Sequence, residues 1–286
     1  MSKVLKFILK TALALIVAIM LLAVYSRYIE PYRLTVTEVS ATNKNVAANA
    51  DGITVAVFAD THFSVNYTLK NFEKAINTIN SRNPDIILFC GDLIDDYSVY
   101  EEDTGEISDA LARLSAPMGK FAVYGNHDHG GGARRAYAGI MENGGFQVLI
   151  NESVEYGGIK LVLIGLDDFI WGDGNTETVK NAAKPDCFNL VLCHEPDVVD
   201  SLLDCGIDLM VAGHTHGGQI NIGQANLPIY KHLFFPPYGR NYVKGSYSFE
   251  NAANTTLYVN SGLASTILPL RFMAPPEITF IAIAGP

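Results

Sequence analysis

Basic residues are the minority in this chain, 20 Lys and Arg against 30 Asp and Glu in 286 residues, for a formal charge of −10. A duplex-binding footprint is therefore missing, nucleic acid is not expected as a partner, and anionic lipid would be attracted only through local patches. Cysteine is scarce as well. Cys90, Cys187, Cys193 and Cys205 show no zinc-knuckle spacing and read first as small buried hydrophobes. A Cys187–Cys205 disulfide, a reducing compartment and an anaerobic host stay open. There is no internal repeat or low-complexity tract. Gly130-Gly131-Gly132 lacks the Lys-Ser/Thr of a P-loop and reads as a flexible hinge. No Ala-x-Ala signal ends the first hydrophobic run, where Tyr25 stands in place of a small residue.

That run, Thr11 to Ser26, is uncharged and mostly apolar, with Lys3, Lys6 and Lys10 before it. Lysines at a bilayer boundary snorkel and lengthen the usable span toward about 20 residues, enough to cross the hydrocarbon core. An uncleaved signal anchor is expected, and a buried core helix is disfavoured at a chain terminus with basic flanks. Three lysines precede the span, whereas Arg27 and Arg33 follow it with Glu30 between them. The positive-inside bias then places the N-terminus in the cytoplasm and the rest of a single-pass protein outside. The chain divides into a basic flank at 1–10, a transmembrane anchor at 11–26, a linker at 27–31 and a domain at 32–286. About 255 residues suffice for one sizeable α/β domain with a well-buried core.

Five short motifs punctuate that domain: Asp60-Thr61-His62, Gly91-Asp92, Gly125-Asn126-His127-Asp128, His194-Glu195-Pro196 and Gly213-His214-Thr215-His216. Each follows an apolar run, at 53–59, 86–90, 121–124, 190–193 and 209–212, of the kind that forms buried strands. The motifs thus fall at strand C-terminal ends, where sheet-based enzymes commonly place their sites. Carboxylate oxygen and neutral imidazole suit borderline divalent ions such as Mn, Fe, Co, Ni and Zn, and the lack of cysteine in the motifs argues against a closed structural zinc site. In Asp60-Thr61-His62 and His214-Thr215-His216 the outer residues stand at i and i+2. Extended backbone would turn both side chains to one face, so that one metal could take both. Gly91, Gly125 and Gly213 precede ligand candidates where close backbone approach favours glycine.

Apolar residues at helical spacing mark 68–80, where Leu69, Phe72, Ala75, Ile76 and Ile79 share a face, and further helices at 107–114, 134–143 and 198–203. Residues 32–40 alternate as a strand, 42–52 read as loop, and 161–166, 256–260 and 278–284 add later strands. Strand and helix alternation implies α/β.

The motif series resembles the calcineurin-like metallophosphoesterase superfamily from about Tyr32 onward. Gly-His-Thr-His-Gly-Gly-Gln-Ile at 213–220 is similar to its membrane-associated branch, which includes UDP-2,3-diacylglucosamine pyrophosphatases. The resemblance implies two mixed β-sheets packed as a sandwich with helices outside. It implies Asp60, His62 and His216 on one metal, Asn126, His194 and His214 on a second, and Asp92 bridging. His127 would be proton donor to the leaving group, and Asp128 would orient a ligand or His127. Such a site would be that of a membrane-tethered dimetal phosphodiesterase or pyrophosphatase acting on lipid-linked or nucleotide-diphosphate substrates. A phosphomonoesterase of the same mechanism and a noncatalytic membrane-tethered scaffold are the alternatives. Two divalent ions are the expected cofactors, and no obligatory protein partner is evident.

Between Leu227 and Lys244, Tyr230, Phe234, Phe235, Tyr238 and Tyr242 interleave with Lys231, His232, Arg240 and Lys244. Aromatics among cations can hold a base, a lipid chain or a membrane interface, or simply cap the sheets. Tyr238 and Arg240 here, and Arg271 further on, are the substrate-contact candidates. Asp95 is placed to support Asp92, and Asp167-Asp168 reads as loop chemistry.

Overall fold

The computed structural model describes residues 2–222 and 235–285. Its strands, in chain order, are β1 (Thr35–Thr42), β2 (Thr54–Phe58), β3 (Ile86–Phe89), β4 (Lys120–Ala122), β5 (Gln147–Val148), β6 (Glu152–Tyr156), β7 (Leu161–Gly165), β8 (Phe188–Leu192), β9 (Leu209–Ala212), β10 (Gly245–Phe249), β11 (Ala252–Val259) and β12 (Glu277–Ala284). They form two six-stranded mixed sheets, ordered β1-β12-β2-β3-β4-β5 and β10-β11-β9-β8-β7-β6. The helices are α1 (Lys3–Tyr28), α2 (Leu69–Asn80), α3 (Thr104–Ala112), α4 (Asn126–Gly130), α5 (Tyr137–Asn143) and α6 (Glu177–Ala182).

The central strands are buried on both faces, which is why they read as unbroken apolar runs. With side chains alternating along β2, Val55 and Val57 enter a core shared with Leu163, Leu190, Leu192 and Val211 of the facing sheet. Ala56 and Phe58 point the other way, onto Phe72 and Ile76 of α2. Helix α2 starts at Thr68, whose N–H donates to Asn71 Oδ1 at 2.9 Å, and buries Phe72, Ala75, Ile76 and Ile79. That i, i+3, i+4, i+7 stripe is one helical face, each large side chain contributing about 1.5–3 kcal/mol. Val162, Ile164, Val191 and Met210 form the outer core of the second sheet with Val179, Val198 and Leu202. The expected sandwich with helices outside is observed.

Strands β2, β3 and β4 run parallel in one sheet, and β8, β9 and β11 in the other. Their C-terminal ends carry the motif loops and meet at one rim of the sandwich.

Helix α1 begins at Lys3, so the basic flank is part of it. At 1.5 Å rise per residue, its 26 residues exceed the roughly 30 Å of a bilayer's hydrocarbon core. Leu13, Leu15, Ile16, Ile19, Leu21 and Leu22 are all exposed; the helix is long and apolar enough to cross a membrane. The stretch expected as a linker is packed against the domain instead. Glu30 is buried and accepts from Ala274 N at 2.6 Å, Ser26 O accepts from Arg271 N at 2.9 Å, and Arg27 donates to Asn66. Pro31 sits in a short 3-10 turn, which delays the first strand from the expected 32 to Thr35. All four cysteines are free thiols, three of them buried.

Candidate metal centre

Among the described residues the rim assembles overlapping sets of donor side chains, one of them His62, Asp92 and His127. Asp60, His62 and His216 bring one donor atom each within 4.8 Å of one another, as do Asp92, His194 and His214. Asp92 links them: its Oδ2 lies 3.4 Å from His62 Nε2 and 3.3 Å from His194 Nε2. Asn126 Oδ1 joins the second set, 3.1 Å from His194 Nε2. The two members of Asp60-Thr61-His62 therefore share a cluster, whereas His214 and His216 part to different ones.

Extended backbone is not what achieves this. Asp60, His62, Asp92, His214 and His216 all lie at positive φ, between 36° and 71°, a region Asp and His tolerate better than most residues and one that gathers at functional sites. Left-handed turns swing the side chains off the strand ends toward one another. Close backbone approach is equally necessary: a Cβ on Gly125 would lie 2.3 Å from Asp92 Oδ1, and one on Gly262 2.5 Å from Asp60 Oδ2.

Backbone carbonyls hold the imidazoles. His194 Nδ1 donates to Cys90 O at 2.6 Å, His214 Nε2 to Pro237 O at 2.8 Å, His216 Nδ1 to Ala264 O at 2.8 Å and His127 Nδ1 to Asp95 O at 2.6 Å. A carbonyl only accepts, so each remaining ring nitrogen of a neutral imidazole carries a lone pair. His194 Nε2 and His214 Nδ1 lie 3.1 Å apart, and as neutral imidazoles, the form that binds a metal, both would turn a lone pair to the same point. Both ring nitrogens of the buried His62 lack a hydrogen bond, although Nδ1 lies 3.1 Å from Asp95 Oδ1. Imidazole nitrogens and carboxylate or amide oxygens that converge on one another at 3.1–3.4 Å in a buried rim are the arrangement a bound cation completes, so the donor set fits divalent ions.

Without metal, protons stand in for the cations. Burial pushes the Asp60 carboxyl up to about 6, and burial with the His194 charge pushes His214 down to about 3. Burial also holds His216 well below its usual value. Burial opposes charge on His194, yet the Asp92 carboxylate lifts it well above the ordinary range. Burial resists the His127 imidazolium too, but Asp92 and the Asp95 carbonyl raise it.

Asp128 is buried and away from the cleft. Its carboxylate accepts from Asp92 N, Leu93 N and Gly125 N at 2.8–2.9 Å, clamping the Asp92 loop to the start of α4. Burial outweighs these donors and pushes it up to about 7. Asp95 stands between His62 and His127 and accepts from Thr266 Oγ1.

A cleft of about 520 Å³ opens over the centre, lined by Asp92, Asn126, His127, His214, Phe235 and Leu268 among others. No Lys or Arg is among its described lining residues. Arg271, expected at substrate, is instead fully buried: its guanidinium donates to Ser261 O and Ala274 O at 2.9 Å and to Ala264 O, behind His216. Tyr238 and Arg240 lie off the described lining, in a turn held by Asp197, whose N–H donates to Tyr238 O and whose carboxylate accepts from Arg240 N. Tyr230, Lys231, His232 and Phe234 lie outside the described residues. Gly130-Gly131-Gly132 is no free hinge either, since Gly131 N donates to His127 O at 2.7 Å and Gly131 O accepts from Tyr97 N.

Sequence reasoning missed the segment after β11. Gly262 admits Asp60, Ala264 O holds His216, and Thr266 holds Asp95. The signal available was a sixth apolar run ending in Asn260-Ser261-Gly262, passed over because no Asp or His follows it.

The family model for calcineurin-like phosphoesterases matches residues 53–218. Over 258 residues the chain is 39% identical to the uncharacterized metallophosphoesterase YkuE of Bacillus subtilis, spanning 89% of this chain and 87% of that protein. It is 29% identical to the phosphodiesterase YaeI of Escherichia coli, spanning 82% and 83%. With the UDP-2,3-diacylglucosamine pyrophosphatase LpxG of Chlamydia muridarum it shares 26% identity, spanning 93% and 94%.

Proposed function

Because the chain belongs to the calcineurin-like phosphoesterases, metal-dependent phosphoester hydrolases, we propose that Asp60, His62 and His216 bind one divalent ion, Asn126, His194 and His214 a second, and Asp92 both. The observation that carries this reading is the pair of donor clusters that Asp92 Oδ2 links through His62 and His194. Mn, Zn, Fe, Co and Ni all suit the donors. Bound ions would supply a water-derived nucleophile near neutral pH and neutralise phosphoryl oxygens, a task no described cation of the cleft performs.

His127 is the proton donor to the departing oxygen. Its Nδ1 proton is committed to Asp95 O, which leaves Nε2 for transfer, and that carbonyl also supports the imidazolium. Asp128 acts through Asp92, and Arg271 through His216. The substrate is a lipid-linked or nucleotide-diphosphate ester: the cleft sets apolar Phe235, Pro236, Pro237, Ile267 and Leu268 beside its polar groups, and LpxG is named for a substrate of that kind. Helix α1 crosses the membrane once, with the catalytic domain outside.

The test is mass-spectrometric product analysis with full-length protein in detergent, loaded with Mn, Zn or Ni. UDP-diacylglucosamine, an aryl phosphodiester and an aryl phosphomonoester are the substrates. UMP release that Asp92→Ala abolishes supports the reading. Phosphate from the monoester alone would make the enzyme a phosphomonoesterase, and bound metal without turnover on any substrate would overturn the assignment in favour of a scaffold.

A further inference from the structure

Residues 264–274 form a strap between the metal centre and the end of α1. At one end Ala264 O holds His216, Thr266 Oγ1 donates to Asp95 at 2.9 Å and Gln219 donates to Thr266 O and Leu268 O. At the other end Arg271 N donates to Ser26 O in the last turn of α1, and Ala274 N to Glu30. A chain extends at most about 3.6 Å per residue, so Ile267 lies within about 14 Å of the Arg271 amide, which itself is bonded to the last turn of α1. The polar layer on each side of a bilayer is about 5–7 Å deep.

The exposed side chains of this strap are the wrong kind for water. Ile267 is 91% exposed and Leu268 51%, at the rim of the cleft. Ile267 is also held at φ 61°, a conformation a β-branched residue rarely adopts, with no burial in the fold to offset the strain. Across His127 stands Trp171, 64% exposed, lining the same hollow as His127 and Ile267. Its loop is built to display it: Asp168 accepts from Trp171 N and Gly172 N, and Asp167 accepts from Asp173 N while facing His129 Nε2 at 2.8 Å. This is what the Asp167-Asp168 pair does. Tryptophan and aliphatic tips beside a membrane helix are the residues that settle at a bilayer interface.

We infer that the Ile267–Leu268 tip, with Trp171 facing it, seats in the interface of the bilayer that α1 crosses, so that the cleft opens onto the membrane surface. This deepens the reading above, on which it rests for a lipid-linked substrate. The ester would reach the metals by lateral movement within one leaflet, its acyl chains remaining in the membrane.

The chain's single tryptophan makes the test direct. Full-length protein in phosphatidylcholine nanodiscs, with or without acyl-brominated lipid, is followed by tryptophan emission, in the native chain and in Ile267→Trp on a Trp171→Phe background. Bromine is expected to lower both emissions about two-fold or more, as for interfacial residues, and Leu268→Asp to weaken the effect on Trp171. Emission at position 267 indifferent to brominated lipid, with α1 still shielded from added protease, would overturn the inference whatever the enzyme's activity. Quenching retained in a metal-loaded chain that hydrolyses neither UDP-diacylglucosamine nor either aryl ester would sink the functional reading and leave this one standing.

Discussion

Strand β2 passes through two environments within eight residues. Val55 and Val57 lie in regular backbone in the inter-sheet core, surrounded by aliphatic side chains of both sheets. Asp60 and His62, just beyond the strand, are equally buried but sit at positive φ among other carboxylates and imidazoles. The first environment is redundant: each side chain contributes a few kcal/mol and none is unique. In the second, each residue is specified, and without metal the arrangement opposes folding through strain and desolvation. The stable core is what holds an unfavourable rim in place.

Asp92→Ala breaks the rim most completely. Both ions should be lost and turnover should fall by about 10³-fold or more, with circular dichroism unchanged; activity within ten-fold of the parent would refute the shared ligand. His127→Ala separates chemistry from binding, since metal content should stay while turnover of an ester with a poor leaving group falls about 10²–10⁴-fold. The loss should shrink on a nitrophenyl ester, and equal losses on both would remove His127 from proton transfer.

On the core side, Leu163→Ala removes a fully buried side chain and should lower stability by about 2–5 kcal/mol in urea titrations at any pH. Metal bound per folded chain should not change. Asp60→Asn should do the reverse. The Asp60 carboxyl stands at about 6 in the metal-free fold against an ordinary 3.8, so across that interval the folded chain keeps a proton the unfolded chain has released. Stability therefore falls as pH rises from about 4 to 6, and the loss is complete above. Metal-free Asp60→Asn should exceed the parent by about 1–3 kcal/mol at pH 7 and match it at pH 4. A less stable variant at pH 7 would show that the carboxylate is already compensated by its imidazole neighbours.

The smallest effect is in the pH profile. Because the His127 imidazolium is the proposed acid, kcat/KM should decline as pH rises through its pKa in the loaded enzyme. His127→Gln should flatten this limb, and an unchanged limb would assign it to another group.

The core and the motif loops were legible because strands buried on both faces are continuous apolar runs, and Asp, Asn and His after such runs stand out. The edge strand β1 was legible too, but β6 and β10 were not: their short runs mix partly buried with exposed residues, so Glu152–Tyr156 and Gly245–Phe249 resemble loop. The five left-handed ligand positions could not be read from residue type, which is why i, i+2 spacing pointed His214 and His216 at one metal when the turn between them divides the pair. Arg271 looked like a phosphate contact because charge is visible in sequence and burial is not. The packing of 27–31 on the strap escaped notice for a similar reason, as Ser26 and Arg271 meet only through backbone.

Metal equivalents per chain, measured by plasma mass spectrometry on full-length protein purified in detergent and re-equilibrated with Mn or Zn, test the shared-ligand centre most directly. The account predicts two ions for the parent, one for His194→Ala and none for Asp92→Ala. A parent that binds a single ion, or an Asp92→Ala chain that keeps two, would contradict it.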